Sequence, residues 1–246
     1  MATFVLVGGA WIGAWAWKEV AARLRGKGHD VYLLSLTGLG DRVHLARPEV
    51  DLETHIADVV NLMEYEDLAD VVLCGHSYAG SVVTGVGDRI PQRLAQVVYV
   101  DSGPAADGEA FVDYFPPDGL EALRHVVATA GDGWRIPFPG IDRLGSIASL
   151  DGLDAEALAV LAAKATAQPW ATYTQPLRLS HRGDPPYRRA VIACDDVRAM
   201  IAAGIPPMVA MMEPPWRFVE LATGHWPMLS APAELATALV TVAVEP

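Results

Sequence analysis

The sequence has little cysteine, few basic residues and no long apolar run, and each of these absences excludes a class of protein. Only two of the 246 residues are cysteines, Cys74 and Cys194, so we expect buried thiols rather than a disulfide framework. Acidic residues outnumber basic ones by 30 to 18, and the net charge of −12 disfavours nucleic acid and anionic membranes as partners. No stretch reaches the ~20 apolar residues of a membrane span, and no basic region precedes the first apolar run as in a signal peptide. These features predict a soluble, cytoplasmic protein.

Short apolar runs alternate with segments of helical periodicity. Residues 4–7, 31–36, 71–74 and 97–100 read as strands, and 52–63 places its apolar residues at spacings of three and four. Continuous apolar strands are typical of a parallel sheet that is covered on both faces. The pattern predicts an α/β fold with a mostly parallel central sheet and helices on both faces.

The alternation stops at about residue 104 and resumes at about residue 187. The intervening segment has no strand-like run but carries Pro-rich turns and aromatic residues such as Trp134 and Trp170. This composition suits an apolar lid over a cleft. We therefore expect one domain, residues 1–246, with a core of 1–103 and 187–246 and a helical cap insertion at 104–186, called the cap segment below.

The strongest motif lies between a predicted strand and a predicted helix. Gly75-His76-Ser77-Tyr78-Ala79-Gly80 has small residues two places before and two places after a serine, as the sharp turn of a nucleophile elbow requires. Ala79 replaces the usual second glycine and is still small. Ser77 is therefore the predicted nucleophile, placed where helix N-terminal N–H groups favour a developing anion.

A serine needs a base to remove its proton, and in chains with this elbow the base arrives late. Of the seven histidines, His225 alone follows the last predicted strand, so we predict it as the base. His76 is expected to point away from Ser77 in a structural or solvated role. The oxyanion would be held by the backbone N–H groups of Tyr78 and Ala10.

Four motifs carry a resemblance to a known family: V-G-G-A-W-I-G-A-W-A-W from Val7, L-T-G-L-G-D-R from Leu36, G-H-S-Y-A-G, and G-H-W-P-M-L from Gly224. They resemble a bacterial branch of the α/β-hydrolase fold that is similar to plant methylesterases and hydroxynitrile lyases. The resemblance covers essentially the whole chain, including the cap segment. It implies ester hydrolysis without a cofactor.

The chain departs from this family at the residue that should orient the base. The family has histidines where this chain has Gly8 and Ile12, and it has a C-T-x-D pattern whose acid corresponds here to Val197. Val197 cannot orient an imidazole. Asp196 by a one-residue shift is the first choice for the acid; Asp195, Asp101 after the preceding strand, or no acid at all remain alternatives.

The substrate is expected to be a small molecule, and three tryptophans are candidates to contact it: Trp11 after the oxyanion loop, Trp134 in the cap segment and Trp226 after the base. Trp11 and Trp226 stand where hydroxynitrile lyases carry Thr and Lys, which argues against cyanohydrin cleavage. No spacing indicates a metal site.

The main prediction is a cofactor-free serine hydrolase acting on a mostly apolar ester. A non-hydrolytic enzyme using His225 as base and a binding protein with little turnover are alternatives. A homodimer stays open.

Overall fold

Six parallel strands form the centre of the computed structural model, which describes residues 1–181 and 183–244. Their order in the sheet is β2-β1-β3-β4-β7-β8. The six strands are β1 (Thr3–Val7), β2 (Asp30–Leu34), β3 (Val71–His76), β4 (Leu94–Val100), β7 (Arg188–Ala193) and β8 (Trp216–Glu220). The predicted α/β architecture is confirmed.

Helices cover both faces of this sheet because successive strand residues point to opposite sides. Phe4 and Leu6 pack with α1 (Lys18–Gly26) and α11 (Pro232–Val244) on one face. Val5 and Val7 pack with α2 (Leu52–Tyr65) and α3 (Ala79–Arg89) on the other. Both faces of β1 and β3 are therefore buried, which explains their unbroken apolar sequences.

The register of the strands sets the level at which each one ends. In the pairing of β3 with β4, His76 lies opposite Val100, so Ser77 and Asp101 leave the sheet side by side. In the pairing of β1 with β3, Val7 lies opposite Gly75, which brings the Gly8-Gly9-Ala10 loop to the same edge. The carboxyl ends of parallel strands are where open α/β sheets place their ligand sites.

The cap segment is mainly helical but includes one feature that its sequence pattern did not indicate. Arg135–Ile136 (β5) pairs antiparallel with Gln168–Pro169 (β6), and two residues are too few for a strand pattern to be visible. Around this pair lie α4 (Pro117–Ala130), α5 (Ile141–Leu144), α6 (Ala155–Lys164) and α7 (Ala171–Thr174).

Three shorter helices, α8 (Asp195–Ala202), α9 (Pro206–Ala210) and α10 (Pro227–Ser230), follow the last strands of the sheet. Cys74 and Cys194 are buried free thiols. Across residues 1–181 and 183–244, no helix has both the length and the apolarity needed to cross a bilayer.

Candidate active site

Ser77 lies on a sharp turn between β3 and α3. Its φ of 53° is left-handed, a conformation that strains a residue with a side chain. A Cβ added to Gly75 would lie 2.7 Å from the carbonyl oxygen of Ala79, so this position tolerates nothing larger than glycine. The turn is held to the next strand by the Ser77 N–H, which donates to the Val100 carbonyl over 3.2 Å. The sequence therefore forms the elbow that its spacing predicted.

His225 lies in the loop between β8 and α10, with its imidazole directed at Ser77. The Nε2 atom is 2.9 Å from Ser77 Oγ, within hydrogen-bonding distance. Two backbone contacts fix the residue: its N–H donates to the Ser149 carbonyl over 2.8 Å, and its carbonyl accepts from His76 Nε2 over 2.6 Å. His225 is thus oriented to accept the Ser77 proton.

Asp101, the residue after β4, contacts the other nitrogen of this ring. Its Oδ2 lies 2.7 Å from His225 Nδ1. Only 3% of the surface of Asp101 is exposed to solvent. Oδ1 accepts the backbone N–H groups of Cys194 and Val197, each over 3.0 Å. The buried side chain of Asp101 thus has three N–H partners, two from the backbone and one from the imidazole. Ser77, His225 and Asp101 therefore form a continuous hydrogen-bonded chain.

A second carboxylate reaches the same nitrogen from the first turn of α8. Asp196 Oδ2 lies 3.1 Å from His225 Nδ1, with 22% of the side chain exposed, and its Oδ1 accepts the Ser149 N–H over 3.0 Å. Asp195, by contrast, accepts from the Ser149 hydroxyl over 3.0 Å and pairs with Arg198 at the surface. Of the acids weighed from the sequence, the structure brings Asp101 and Asp196 to His225 and turns Asp195 away.

The two carboxylates change the basicity of His225. Burial opposes protonation of the imidazole, but the hydrogen bonds and charges of Asp101 and Asp196 outweigh it and raise the pKa to about 9. Burial also raises the pKa of Asp196, yet its contacts with His225 and the Ser149 N–H lower it more. Burial and the neighbouring His225 keep the pKa of His76 well below its usual value, so the buried His76 ring is neutral.

The loop after β1 lies directly against the elbow. A Cβ on Gly9 would be 2.8 Å from His76 Nδ1 and 2.9 Å from Ser77 Cβ, so only glycine permits this approach. Within the described part of the chain, the backbone N–H groups of Ala10 and Tyr78 donate to no other group. Two unpaired N–H groups flanking a nucleophile are the arrangement that an oxyanion requires.

Carboxylate oxygens of Asp101 and Asp196 and a ring nitrogen of His225 lie within 4.8 Å of one another, a spacing that is also found among the ligands of a metal ion. These are the atoms already joined by hydrogen bonds around Nδ1. The cluster is therefore part of the hydrogen-bonded group around Ser77, in which both ring nitrogens of His225 already have partners.

Comparison with known proteins places this geometry in a family. The model of the α/β hydrolase family matches residues 4–238. The chain belongs to the α/β hydrolase family.

The relatives of this hydrolase include esterases. A carbendazim-hydrolyzing esterase of Nocardioides sp. is 35% identical over 98% of this chain and 100% of its own length. Methylesterase 8 of Arabidopsis thaliana is 33% identical, over 52% of this chain and 51% of that protein. The chain is therefore an esterase-like α/β hydrolase, as its motifs predicted.

Solved structures share the fold along the whole chain. An extracellular α/β-hydrolase from a Paenibacillus species superposes with a TM-score of 0.84 at 24% identity, covering 100% of both chains. A pyrethroid hydrolase of Sphingobium faniae gives 0.74 at 23% identity, covering 100% of this chain and 98% of that one.

The three tryptophans predicted to contact substrate have different surroundings in the hydrolase. Trp11, half-buried, follows Ala10 and packs edge-on against Phe138, with centroids 6.1 Å apart. Trp226 is 3% exposed and makes a T-shaped contact with the His225 ring, with centroids 5.0 Å apart. Trp134 accepts the Trp170 N–H on its carbonyl and lies under the Arg135 guanidinium. Trp11 is thus the one of the three joined directly to the oxyanion loop.

Several residues that hold the site were not found from the sequence. Ser149 bonds to both His225 and Asp196, and Ser102 donates to the Ser77 carbonyl over 2.6 Å. His76, for which a structural or solvated role was expected, is buried and bonded to the His225 carbonyl. Ser102 and His76 adjoin predicted strand ends, a signal that was available, whereas Ser149 carries no motif.

Proposed function

We propose that this hydrolase cleaves a small, mostly apolar ester through an acyl-enzyme on Ser77, with His225 as the base and Asp101 as the acid that orients it. The observation that carries the proposal is the chain Ser77 Oγ to His225 Nε2 over 2.9 Å and His225 Nδ1 to Asp101 Oδ2 over 2.7 Å. Asp101 is preferred to Asp196 because it is closer to Nδ1 and more deeply buried.

The reaction begins with neutral His225. Nε2 accepts the Ser77 proton while Oγ forms a bond to the ester carbonyl carbon, and the N–H groups of Ala10 and Tyr78 receive the resulting oxyanion. His225 then gives the proton to the alcohol oxygen as the C–O bond breaks. Water attacks the acyl-enzyme, its proton passes through His225 to Ser77 Oγ, and the acid leaves.

The substrate class rests on the surroundings of the site and on one relative. Phe111, Phe115 and Tyr173 of the cap segment pack together beside Tyr78, which favours an apolar small molecule under a cap. Because the relative that matches along its full length hydrolyses carbendazim, carbendazim is the first compound to test.

The non-hydrolytic alternative was motivated by two departures from the family, Val197 at the position of the acid and the loss of polar side chains at Gly8 and Ile12. In the structure the Val197 N–H supports the carboxylate of Asp101, so the position contributes to a complete chain of proton-transfer groups. The contact supports the hydrolase proposal over the alternative drawn from Val197, and turnover by the protein decides between hydrolysis, a non-hydrolytic reaction and binding alone.

The test is intact-mass labelling with a fluorophosphonate, together with turnover of p-nitrophenyl esters and of carbendazim. Wild-type protein should gain one adduct and release p-nitrophenol, and Ser77→Ala should do neither. Ser146→Ala is the control, an exposed serine of the cap segment whose hydroxyl donates to the Arg143 carbonyl, and its removal should leave the adduct in place.

Failure of folded wild-type protein to label would overturn the acyl-enzyme mechanism. Labelling that persists in Ser77→Ala would assign the nucleophile to another residue. Labelling with ester turnover but without carbendazim turnover would retain the mechanism and reject this substrate.

A further inference from the structure

Trp11 is attached to the cap segment at three points. Its backbone N–H donates to Gln168 Oε1 over 3.4 Å, its carbonyl accepts the Thr166 N–H over 2.9 Å, and its indole Nε1 donates to the Ile136 carbonyl over 3.2 Å. Trp11 also has a left-handed φ of 64°. A strained backbone persists where its surroundings hold it, and here the cap does so one residue after Ala10.

The Gln168 side chain is fully buried and each end of its amide has a partner. Nε2 donates to Thr172 Oγ1 over 2.7 Å, and that hydroxyl donates to the Pro169 carbonyl over 2.6 Å. Since the amide nitrogen is committed to Thr172, the oxygen is turned toward Trp11. Gln168 is therefore a rigid link between α7 and the loop after β1.

The same part of the cap packs on Tyr78, the residue of the second oxyanion N–H. Tyr78 is fully buried, and its ring stacks on Tyr173 with centroids 5.5 Å apart. Its phenol donates to His55 Nδ1 over 3.0 Å, and Tyr173 directly follows Thr172 in α7. Burial lowers the pKa of His55 to about 4, so this ring is a neutral acceptor. Gln168 thus contacts Trp11 on one side of the predicted oxyanion hole, and through Thr172 it is joined to the helix whose Tyr173 packs on Tyr78 at the other side.

We propose that Gln168 is a positioning residue that, with Thr172, sets the separation of the Ala10 and Tyr78 N–H groups and so tunes oxyanion stabilisation. The inference rests on the proposed function. If the inference holds, the cap segment does more than cover the substrate. The residues of β6 and α7 also hold the backbone of Ala10 and Tyr78 in position.

The expected effect follows from the geometric demands on such donors. One correctly placed donor is worth about 10²- to 10³-fold in rate, and a displacement of about 1 Å can cost on the order of 10²-fold. Loss of the Gln168 contact loosens one donor without removing it. We therefore expect Gln168→Leu to lower kcat about 10- to 100-fold with little change in KM.

Gln175→Leu is the matched control. Gln175 lies just after α7 and also ties the cap to the core through two bonds, accepting the Glu53 N–H and donating to Asp51 Oδ2, each over 2.7 Å. Its loss weakens cap attachment to a similar degree but leaves Trp11 untouched. It should keep kcat within about 2-fold of wild type, as expected for a residue distant from the reacting atoms.

The experiment compares oxygen and sulfur esters. Steady-state kinetics of a p-nitrophenyl ester and its thionoester are measured for wild type, Gln168→Leu, Thr172→Val and Gln175→Leu, with folding checked by circular dichroism. Sulfur is larger and a poorer hydrogen-bond acceptor, so the oxygen-to-sulfur ratio of kcat/KM reports on the oxyanion hole. The ratio should fall in Gln168→Leu, fall less in Thr172→Val and remain at the wild-type value in Gln175→Leu.

An unchanged ratio in folded Gln168→Leu, or equal losses in Gln168→Leu and Gln175→Leu, would show a merely structural link and overturn the inference. If Gln168→Leu does not fold, Thr172→Val decides alone by the same ratio. Failure of the proposed function is seen separately, because wild-type protein would then neither label with fluorophosphonate nor turn over either ester.

Discussion

The end of β4 and the first turn of α8 each bring a carboxylate to His225, but in different surroundings. Asp101 has no exposed side-chain surface and binds two backbone N–H groups on its far oxygen. Asp196 is 22% exposed and has one such N–H donor, from Ser149 in the cap segment. Asp101 is thus held by the core, whereas the orientation of Asp196 depends on a hydrogen bond from a loop of the cap segment. Burial and backbone donors, more than distance to the base, should decide which acid catalysis needs.

Of the substitutions that test this comparison, Asp101→Asn should lower kcat most. The Asn amide would offer a donor to His225 Nδ1 where an acceptor is needed, and loss of the acid in a Ser-His-Asp triad costs about 10⁴-fold in kcat. We expect about 10³-fold, because Asp196 still accepts from Nδ1. Adding Asp196→Asn to this variant should bring the loss to about 10⁴-fold.

Ester hydrolysis by both variants under saturating substrate is the measurement. If Asp101→Asn lowers kcat by less than about 10-fold, Asp196 rather than Asp101 is the main acid. Equal activity of the single and double variants would show that Asp196 contributes nothing when Asp101 is lost.

Replacing Asp196 with Asn should change the pH profile more than the maximum rate. His225 acts as a base only when neutral, and its pKa is raised to about 9, so wild-type kcat/KM should rise with pH through about 9. Removal of one of the two charges lowers that pKa and moves the rise to lower pH. The plateau itself should fall only a few-fold, since Asp101 still orients the ring.

The profile is followed from about pH 6 to 10 with an ester whose uncatalysed hydrolysis is subtracted at each pH. An Asp196→Asn profile that coincides with that of the wild type, or that is displaced to higher pH, would contradict this prediction.

Asp195→Asn should have the smallest effect. Asp195 faces Ser149 Oγ and Arg198 rather than the imidazole, and a partly exposed ion pair contributes little. We expect kcat/KM within about 2-fold of wild type and an unshifted pH profile. A 10-fold loss would mean that Ser149 transmits the change to His225 through its bond to the base.

The sheet, the sharp turn at Ser77 and the placement of His225 beside it could be predicted because each depends on local sequence. Residues 71–74 are apolar throughout since β3 is buried on both faces, and Gly75 and Ala79 are small since the turn at Ser77 leaves no room. His225 follows the last strand, where the base belongs in this fold.

The acid and the cap contacts could not be settled in the same way, because they depend on distances between segments far apart in the chain. Asp101 and His225 are 124 residues apart, and Trp11 and Gln168 are 157. Whether Asp196 reaches Nδ1 beside Asp101 depends on how α8 starts after β7. A two-residue strand pair such as β5 and β6 gives too little pattern to detect.

The level ends of β3 and β4 also bear on how such a site can change over evolutionary time. Since His76 lies opposite Val100, a carboxylate on the residue after β4 emerges beside the nucleophile and within reach of the same imidazole. The start of α8 is within reach as well. A lineage could therefore gain an acid at one position before losing it at the other, and the imidazole would retain an acidic partner at every substitution. In this hydrolase, loss of either carboxylate alone would leave the other in contact with the imidazole.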